Sequence, residues 1–303
     1  MATRFELVVF GGDPIRMRAI GEEAFEEIQR LDGQLSVYNE TSDLSRINAR
    51  SSVEWVRIEP RLFALLERAK ELSEATGGAF DVTTGPLLKC WGFPNGAGSV
   101  PSPEAIDTAR AAVGFEKLSL DPERSAVRFL HPGMRLDLGA IGKGYALDCA
   151  VAILRDAGVE VALIHGGTST SCAIGSPPGA SSWVIALPSA TSDSTAAPTA
   201  ESRPRCISMR DESVSVSAVW GRSFREGNRE LGHVLDPRTG QPTQSARTAA
   251  VVLPSATESD ALSTALLVLG PAGIGPLLAF RPNARIWIDD QGPYTHNFTG
   301  AKA

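Results

Sequence analysis

The apolar residues of this chain change period repeatedly, and the changes do not follow a strict strand-helix alternation. Phe5 to Phe10 is rich in β-branched and aromatic residues and reads as a strand. Ile20, Ala24, Ile28, Leu31 and Leu35 then recur at helical spacing. Leu62, Leu65, Leu66, Ala69 and Leu72 form a second apolar stripe, with Pro60 near its start and Gly77 just past its end. Ser102-Pro103 reads as cap and first turn of a third helix reaching Val113. A hairpin is expected from Leu118–Leu120 and Ala126–Leu130 around Asp121-Pro122-Glu123. Further strands are expected at Arg135–Leu138, Val161–Ile164, Trp183–Leu187, Cys206–Met209, Ser213–Ser217, Thr248–Leu253 and Ala284–Ile288. Helices are expected from the glycine turn after Leu138 to Ala157, and from Ser259 to Leu269. Clustered helices and strands of this kind favour an α+β layer architecture over a doubly wound sheet. Residues 188–205 contain only Ser, Thr, Ala, Pro and charged residues, so a mobile surface loop is expected there.

Composition narrows the function classes. The 303 residues carry 29 Lys plus Arg against 35 Asp plus Glu, a formal net charge of -6. Binding to nucleic acid through its phosphates calls for a basic face or a basic total, so that class is disfavoured. No apolar run approaches the roughly 20 residues of a bilayer span. Met1 to Phe5 lacks a basic segment leading into an apolar one. As the sequence stands, a cytoplasmic location is expected; a signal removed from its start would make it an exported, periplasmic protein. The four cysteines, Cys90, Cys149, Cys172 and Cys206, are too far apart for a zinc knuckle or a redox pair and read as small buried hydrophobes.

Six segments could carry chemistry. Leu35 to Asn48 is dense in hydroxyls and amides; it reads as a capped turn before a short helix, with Tyr38 placed to wall a flat aromatic ligand. Thr76-Gly77-Gly78-Ala79-Phe80-Asp81-Val82-Thr83-Thr84-Gly85 reads equally as a glycine helix cap with an Asx turn and as a backbone-lined ligand loop. Asp137-Leu138-Gly139-Ala140-Ile141-Gly142-Lys143-Gly144-Tyr145-Ala146-Leu147-Asp148 places a glycine turn and a lysine at a helix start, where free N–H groups favour an anion such as a pyrophosphate. It is neither a Walker A loop nor GxGxxG. His165-Gly166-Gly167-Thr168-Ser169-Thr170 could approach a ligand by backbone or simply pack on a neighbouring strand. Gly232-His233-Val234-Leu235-Asp236-Pro237-Arg238-Thr239-Gly240 is a tight turn preceded by the histidine best placed to act as a base. Asp260 and Thr264 share one helix face as i and i+4, offering hard oxygens suited to Mg²⁺; taken by itself, Asp260 reads first as an acid favoured by the helix dipole.

Taken in order, these segments resemble the ApbE-type flavin transferases, the FAD:protein FMN transferases, over nearly the whole chain. The resemblance rests on SVY with SDLSRIN, TGGAFDVTTGPL, DLGAIGKGYALD, the GG turn after a strand, HVLDPRTG and DALSTA. It implies one catalytic unit over residues 1–303 with a T-fold-like α+β architecture, its mixed or antiparallel sheets packed with helices. It also implies Mg²⁺-dependent transfer of FMN from FAD to a Thr or Ser hydroxyl of a target protein, releasing AMP. Carried over position by position, it implies flavin or FAD contacts from Met1, Tyr38, Ala79, Phe80, Asp81, Asp137, Lys143 and Val234. It implies metal ligation by Asp260, Thr264 and the Ala140 carbonyl, with His233 as the base. Ala2, Thr168 and Ala218 depart from the family pattern, which usually has Gly, Asp or Asn, and Gly there. Two other functions use the same residues: a Mg²⁺-dependent FAD pyrophosphatase, with water as acceptor, and a non-catalytic FAD-binding protein.

Overall fold

The computed structural model describes residues 3–95, 98–187, 206–221, 223–227 and 229–289. Met1, Ala2 and the expected surface loop at 188–205 lie outside them. In chain order the elements are β1 (Phe5–Val9), α1 (Pro14–Leu35), α2 (Asp43–Arg50), β2 (Val56–Arg57), α3 (Pro60–Ala75), α4 (Gly85–Cys90), α5 (Pro103–Arg110), β3 (Leu118–Asp121) and β4 (Ala126–Phe129). They continue with α6 (Gly142–Asp156), β5 (Ala162–Gly166), β6 (Thr170–Ile174), β7 (Trp183–Ala186), β8 (Cys206–Met209), β9 (Ser213–Ala218), β10 (Ser223–Glu226), β11 (Arg229–Gly232), β12 (Thr248–Leu253), α7 (Ala256–Leu269), α8 (Ile274–Phe280) and β13 (Arg285–Asp289).

Six strands form one antiparallel sheet in the order β1-β5-β6-β9-β12-β13. Both of its faces are covered. On β9, β12 and β13, Val214, Val216, Ala250, Val252 and Trp287 point to one side, where they pack with Trp183, Ile207 and Met209 of the β7–β8 pair. Their neighbours Ala249, Val251, Leu253, Ile286 and Ile288 point to the other side and join Ala261, Leu262, Ala265 and Leu266 of α7. α1 lies outside this layer and packs Ile20, Ala24, Ile28 and Leu31 against Leu147, Ala150 and Leu154 of α6. The smaller sheet β2-β4-β3 closes the α3 side of the same core.

Helix punctuation follows the sequence. Ser42 accepts the N–H of Ser45, Ser102 that of Ala105 and Ser255 that of Glu258, while Gly77 leaves α3 at φ +57°. Four expectations change. Of the four cysteines expected to be buried, Cys172 is, Cys90 and Cys149 are half-buried and Cys206 is exposed. α5 ends at Arg110 rather than near Val113. α7 starts at Ala256 rather than Ser259, because Ser255 supplies the cap. Arg135–Leu138 forms no ladder strand: only a single parallel bridge joins Arg135 to Thr84. The amide of Asn48 takes the place of a partner strand there, accepting the Leu136 N–H at 2.7 Å and donating to its carbonyl at 2.9 Å.

Residues Ala256–Phe280 span 25 residues with a mean hydropathy of 1.7 in their most apolar window, which by length and composition alone would cross a membrane. Here the stretch is broken by a tight 3-10 turn at Gly270–Gly273, and α7 is buried between the sheet and α6. Contact with core on every side accounts for its composition.

Candidate active site

The glycine turn is built from the ladder substitute upward. With Leu136 held by Asn48, Asp137 gives its N–H to the Val82 carbonyl at 2.8 Å, tying this segment to the Ala79–Thr84 loop. The Asp137 carboxylate then folds back to accept the Gly139 N–H at 2.8 Å. α6 begins at Gly142, whose N–H reaches the Leu138 carbonyl at 2.7 Å. One turn position demands glycine: a Cβ on Gly144 would lie 2.1 Å from the Ala256 carbonyl oxygen and 2.8 Å from Asp260 Cβ. α6 and α7 therefore meet backbone to backbone at this point. Lys143 is thereby placed with Nζ 3.9 Å from Asp260 Oδ1.

Asp260 is only 3% exposed. Its Oδ2 accepts the Gly144 N–H and its Oδ1 the Ser215 hydroxyl, both at 3.0 Å. A carboxylate so buried needs donors and a nearby cation, and here each oxygen has one donor with Lys143 beside them. Thr264, one turn along, lies 3.1 Å from the Ser217 hydroxyl. Asp260 and Thr264 do share a helix face, but Asp260 sits in the second turn. The N-terminal N–H groups of α7 are instead taken by Asp148, which accepts from Ala256 N at 2.8 Å, Thr257 N at 2.9 Å and the Ser255 hydroxyl at 2.8 Å.

The remaining expected residues fall around this cluster to different degrees. Tyr38 is 59% exposed, in the loop that follows Leu35. A Cβ on Gly142 would lie 3.8 Å from Leu35 Cδ1, so that loop borders the glycine turn. Ala140 is half-buried within the turn. His233 follows Gly232, where a Cβ would meet the Val219 carbonyl at 2.4 Å, so it leaves the sheet beside the end of β9. Its ring meets Phe93 edge-on at 6.4 Å. Val234 packs against the main core and accepts the Thr243 N–H through its carbonyl.

Ala79 and Phe80 are each 1% exposed and belong to the core, so what they can offer a ligand is backbone. Asp81 accepts both the N–H and the hydroxyl of Thr83 at 2.7 Å, an Asx turn. Burial pushes its carboxyl above the usual carboxylate range, against the pull of these Thr83 bonds. It opens onto a groove of about 850 Å³ lined also by Lys70, Gly78, Arg110 and Arg238, which neither Lys143 nor Asp260 reaches. Asp236–Gly240 is a structural turn: Arg238 doubly bonds the Asp236 carboxylate at 2.9 and 2.8 Å, and Trp91 Nε1 donates to the Gly240 carbonyl at 2.8 Å. The Gly166-Gly167 turn packs on the start of β1, where Gly166 stands against Phe5 and Gly167 N–H bonds the Arg4 carbonyl.

The sequence assigned no role at this site to Ser215, Ser217, Thr170, Asp148 or Asn48, although Asn48, Asp148 and Thr170 lie within its candidate segments. The Ser-Val-Ser-Val-Ser alternation of β9 was the available signal for the first two. Among the described residues no group of three or more His, Cys, Asp or Glu side chains could hold a metal. A cation here would be met by one carboxylate together with hydroxyl and carbonyl oxygens, a donor set for a hard ion.

Comparison with known proteins finds similarity along almost the whole chain. The ApbE family model matches residues 1–286. An FAD:protein FMN transferase of Treponema pallidum is 31% identical over 264 residues, covering 82% of this chain and 71% of the relative. A crystal structure of the ApbE protein from Thermotoga maritima superposes with a TM-score of 0.82 at 31% identity, covering 94% of this chain and 90% of that one. The apo flavinyl transferase ApbE of Pseudomonas stutzeri gives a TM-score of 0.78 at 30% identity, over 94% and 91% of the two chains. With a family model matched over nearly the whole chain and relatives and solved structures at about 30% identity sharing its antiparallel fold, this chain belongs to the ApbE family.

Proposed function

We propose that this protein transfers FMN from FAD to the hydroxyl of a Thr or Ser in a target protein, releasing AMP, with Mg²⁺ as cofactor. The observation that carries this reading is Asp260: a nearly buried carboxylate on which a lysine, a serine hydroxyl and a glycine-rich helix start converge, with Thr264 one helical turn away. The family relatives named as FAD:protein FMN transferases support the same reading.

The donor set fits Mg²⁺, which takes oxygen ligands and is held by one or two carboxylates plus substrate phosphates. Asp260, Thr264 and the Ala140 carbonyl would hold it. When bound, the ion neutralises charge on the pyrophosphate and on the phosphoryl group in transit. The chain's own residues do the rest. The Lys143 ammonium binds and orients the anionic pyrophosphate, since the Gly142 and Gly144 N–H groups at the start of α6 are already given to the Leu138 carbonyl and to Asp260. Tyr38 offers a wall for the flavin ring. Asp137 shapes the turn that presents these groups. Contacts from Met1, from the Ala79–Asp81 backbone and from Val234 complete the FAD site in this reading.

His233 is the base. Its imidazole takes the proton of the incoming hydroxyl as the acceptor oxygen bonds to the FMN-side phosphorus. The bond from that phosphorus to the bridging oxygen breaks, and AMP departs with the electron pair.

The test is to incubate the protein with FAD, Mg²⁺ and a target carrying an acceptor Thr, following target mass and AMP together. An FMN-sized mass gain matched by AMP is expected. Free FMN and AMP without labelling would make the protein a pyrophosphatase, and FAD binding without turnover would make it a carrier. Asp260→Asn is expected to abolish transfer, and His233→Ala to lower transfer more than FAD binding; full transfer in either would remove that residue's role.

A further inference from the structure

We propose that Ser215 and Ser217 of β9 are positioning residues for the cation: Ser215 fixes the Asp260 carboxylate, and Ser217 turns the lone pairs of the Thr264 hydroxyl outward. This rests on the cation reading given above.

β9 alternates serine with valine. Its valines enter the apolar layer under β7–β8, so its serines face α7, in the interior. Polar side chains on a buried face need partners. Those of Ser215 and Ser217 are the side chains of α7 that carry Asp260 and Thr264.

Proton counting gives the chain of bonds a direction, since a hydroxyl has one proton to donate and two lone pairs to accept. Ser215 Oγ is 3.0 Å from Asp260 Oδ1 and 3.0 Å from Thr170 Oγ1. An ionised carboxylate only accepts, so Ser215 donates to Asp260 and must accept from Thr170. Thr170 stands directly across the ladder as the register partner of Ser215. Both are almost wholly buried, at 1% and 0% exposure. Two hydroxyls in line thus aim a proton at Oδ1, while the Gly144 N–H holds Oδ2 from the α6 side at 3.0 Å. The carboxylate cannot rotate without breaking a buried bond on one side or the other.

The second line runs through Ser217. Ser263 Oγ donates to the Asp260 carbonyl at 3.0 Å, so its 2.8 Å contact with Ser217 Oγ needs Ser217 as donor. With that proton used, Thr264 is the donor in its 3.1 Å contact with Ser217, in preference to the longer 3.3 Å contact with the Asp260 carbonyl. A threonine whose proton points back into the sheet presents its lone pairs the other way, as a ligand oxygen must. Without Ser217, Thr264 retains the Asp260 carbonyl at 3.3 Å, the back-bond to residue i−4 that helix hydroxyls fall into. Ser213, on the same face, sits 3.3 Å from Cys172 Sγ and 3.4 Å from the Pro254 carbonyl, away from both ligands.

The test is Mn²⁺ binding, read from the electron paramagnetic resonance signal of the free ion. It uses the wild-type protein, Ser215→Ala, Ser217→Ala, Ser217→Thr, Ser213→Ala and Asp260→Asn, each with its Tm in EDTA. Loss of a residue that orients a metal ligand typically weakens affinity by about tenfold or more, and that drop is expected for Ser215→Ala and Ser217→Ala. Ser217→Thr keeps the hydroxyl and should restore affinity, and Ser213→Ala should leave it unchanged. The metal-free Tm of Ser217→Ala should stay near that of wild type, which separates positioning from folding. If Ser215→Ala fails to fold, the Ser217 pair decides. Wild-type affinity in a folded Ser217→Ala, or no recovery in Ser217→Thr, overturns the proposal. Wild-type binding no better than Asp260→Asn would instead remove the cation reading itself, and this proposal with it.

Discussion

Replacing Gly144 by alanine isolates the contact on which the site is built. The new Cβ would lie 2.1 Å from the Ala256 carbonyl oxygen, 2.6 Å from its carbon and 2.8 Å from Asp260 Cβ. Non-bonded carbons prefer about 3.5–4.0 Å, so α6 and α7 would have to separate by on the order of 1 Å. No rotamer change relieves this, because the obstacle is mostly backbone. Overpacking of this kind costs about 1–3 kcal/mol. Stretching the charge-assisted Gly144–Asp260 bond, now 3.0 Å, adds to the loss. Bonds to charged groups contribute about 1.5–3 kcal/mol. Against these stands a gain of about 1 kcal/mol in helix propensity for Gly→Ala. The expected net loss is about 2–4 kcal/mol, or roughly 3–6 °C in Tm for a chain of this size. Gly33→Ala is the matched control, since Gly33 lies in α1 and a Cβ there meets nothing within 4 Å. It should raise stability by up to about 1 kcal/mol. Thermal unfolding by circular dichroism reads both, and FMN transfer to a target protein should fall in Gly144→Ala alone. An equal Tm gain in the two variants would refute the backbone-contact argument.

Three further outcomes follow from the same structure. Asp148→Ala strips α7 of four donors' acceptor, so a loss of about 1–2 kcal/mol is expected, readable as faster amide exchange at Ala256 and Thr257; unchanged exchange would count against this capping role. Asp81→Asn should raise Tm at pH 7, because burial raises this carboxyl's pKa above 3.8 and the fold therefore disfavours its ionised form. The gain should disappear below pH 3.8, where the carboxyl is protonated folded or unfolded, and a Tm loss at pH 7 would contradict it. Burial pushes Glu258 up, but its bonds to Arg281 and Arg68 outweigh this and hold its pKa below 4.5. Its contribution is therefore present above pH 4.5 and is lost as pH falls through the folded value. Glu258→Gln should be less stable at pH 7 and approach wild type in acid; a difference independent of pH would refute the assignment.

Much of the fold could be read from periodicity because helix stripes and caps are local properties. α1 and α3 each show their buried face as a stripe, and Ser42, Ser102 and Gly77 punctuate helices by means of neighbouring residues. Expectations changed where a distant residue takes over a local task. Arg135–Leu138 has a strand's composition, but Asn48, 88 positions before Leu136, satisfies its backbone. β6 was not anticipated, since Thr170-Ser171-Cys172-Ala173-Ile174 carries no contrast between faces and every residue in it is buried.

The site divides in the same way. Local order in the sequence determined the glycine turn, the lysine at a helix start and the i, i+4 placement of Asp260 and Thr264, because each depends on residues a few positions apart. The Ser-Val alternation of β9 likewise determined that its two faces differ. Tertiary structure alone decided that the serine face is buried against α7, that Gly144 touches a backbone 112 positions on, and that Thr170, Ser215 and Asp260 form one line of hydrogen bonds. A hydroxyl's role depends on what lies within about 3 Å of it, and for these residues the neighbours arrive only when the sheet and α7 close over one another.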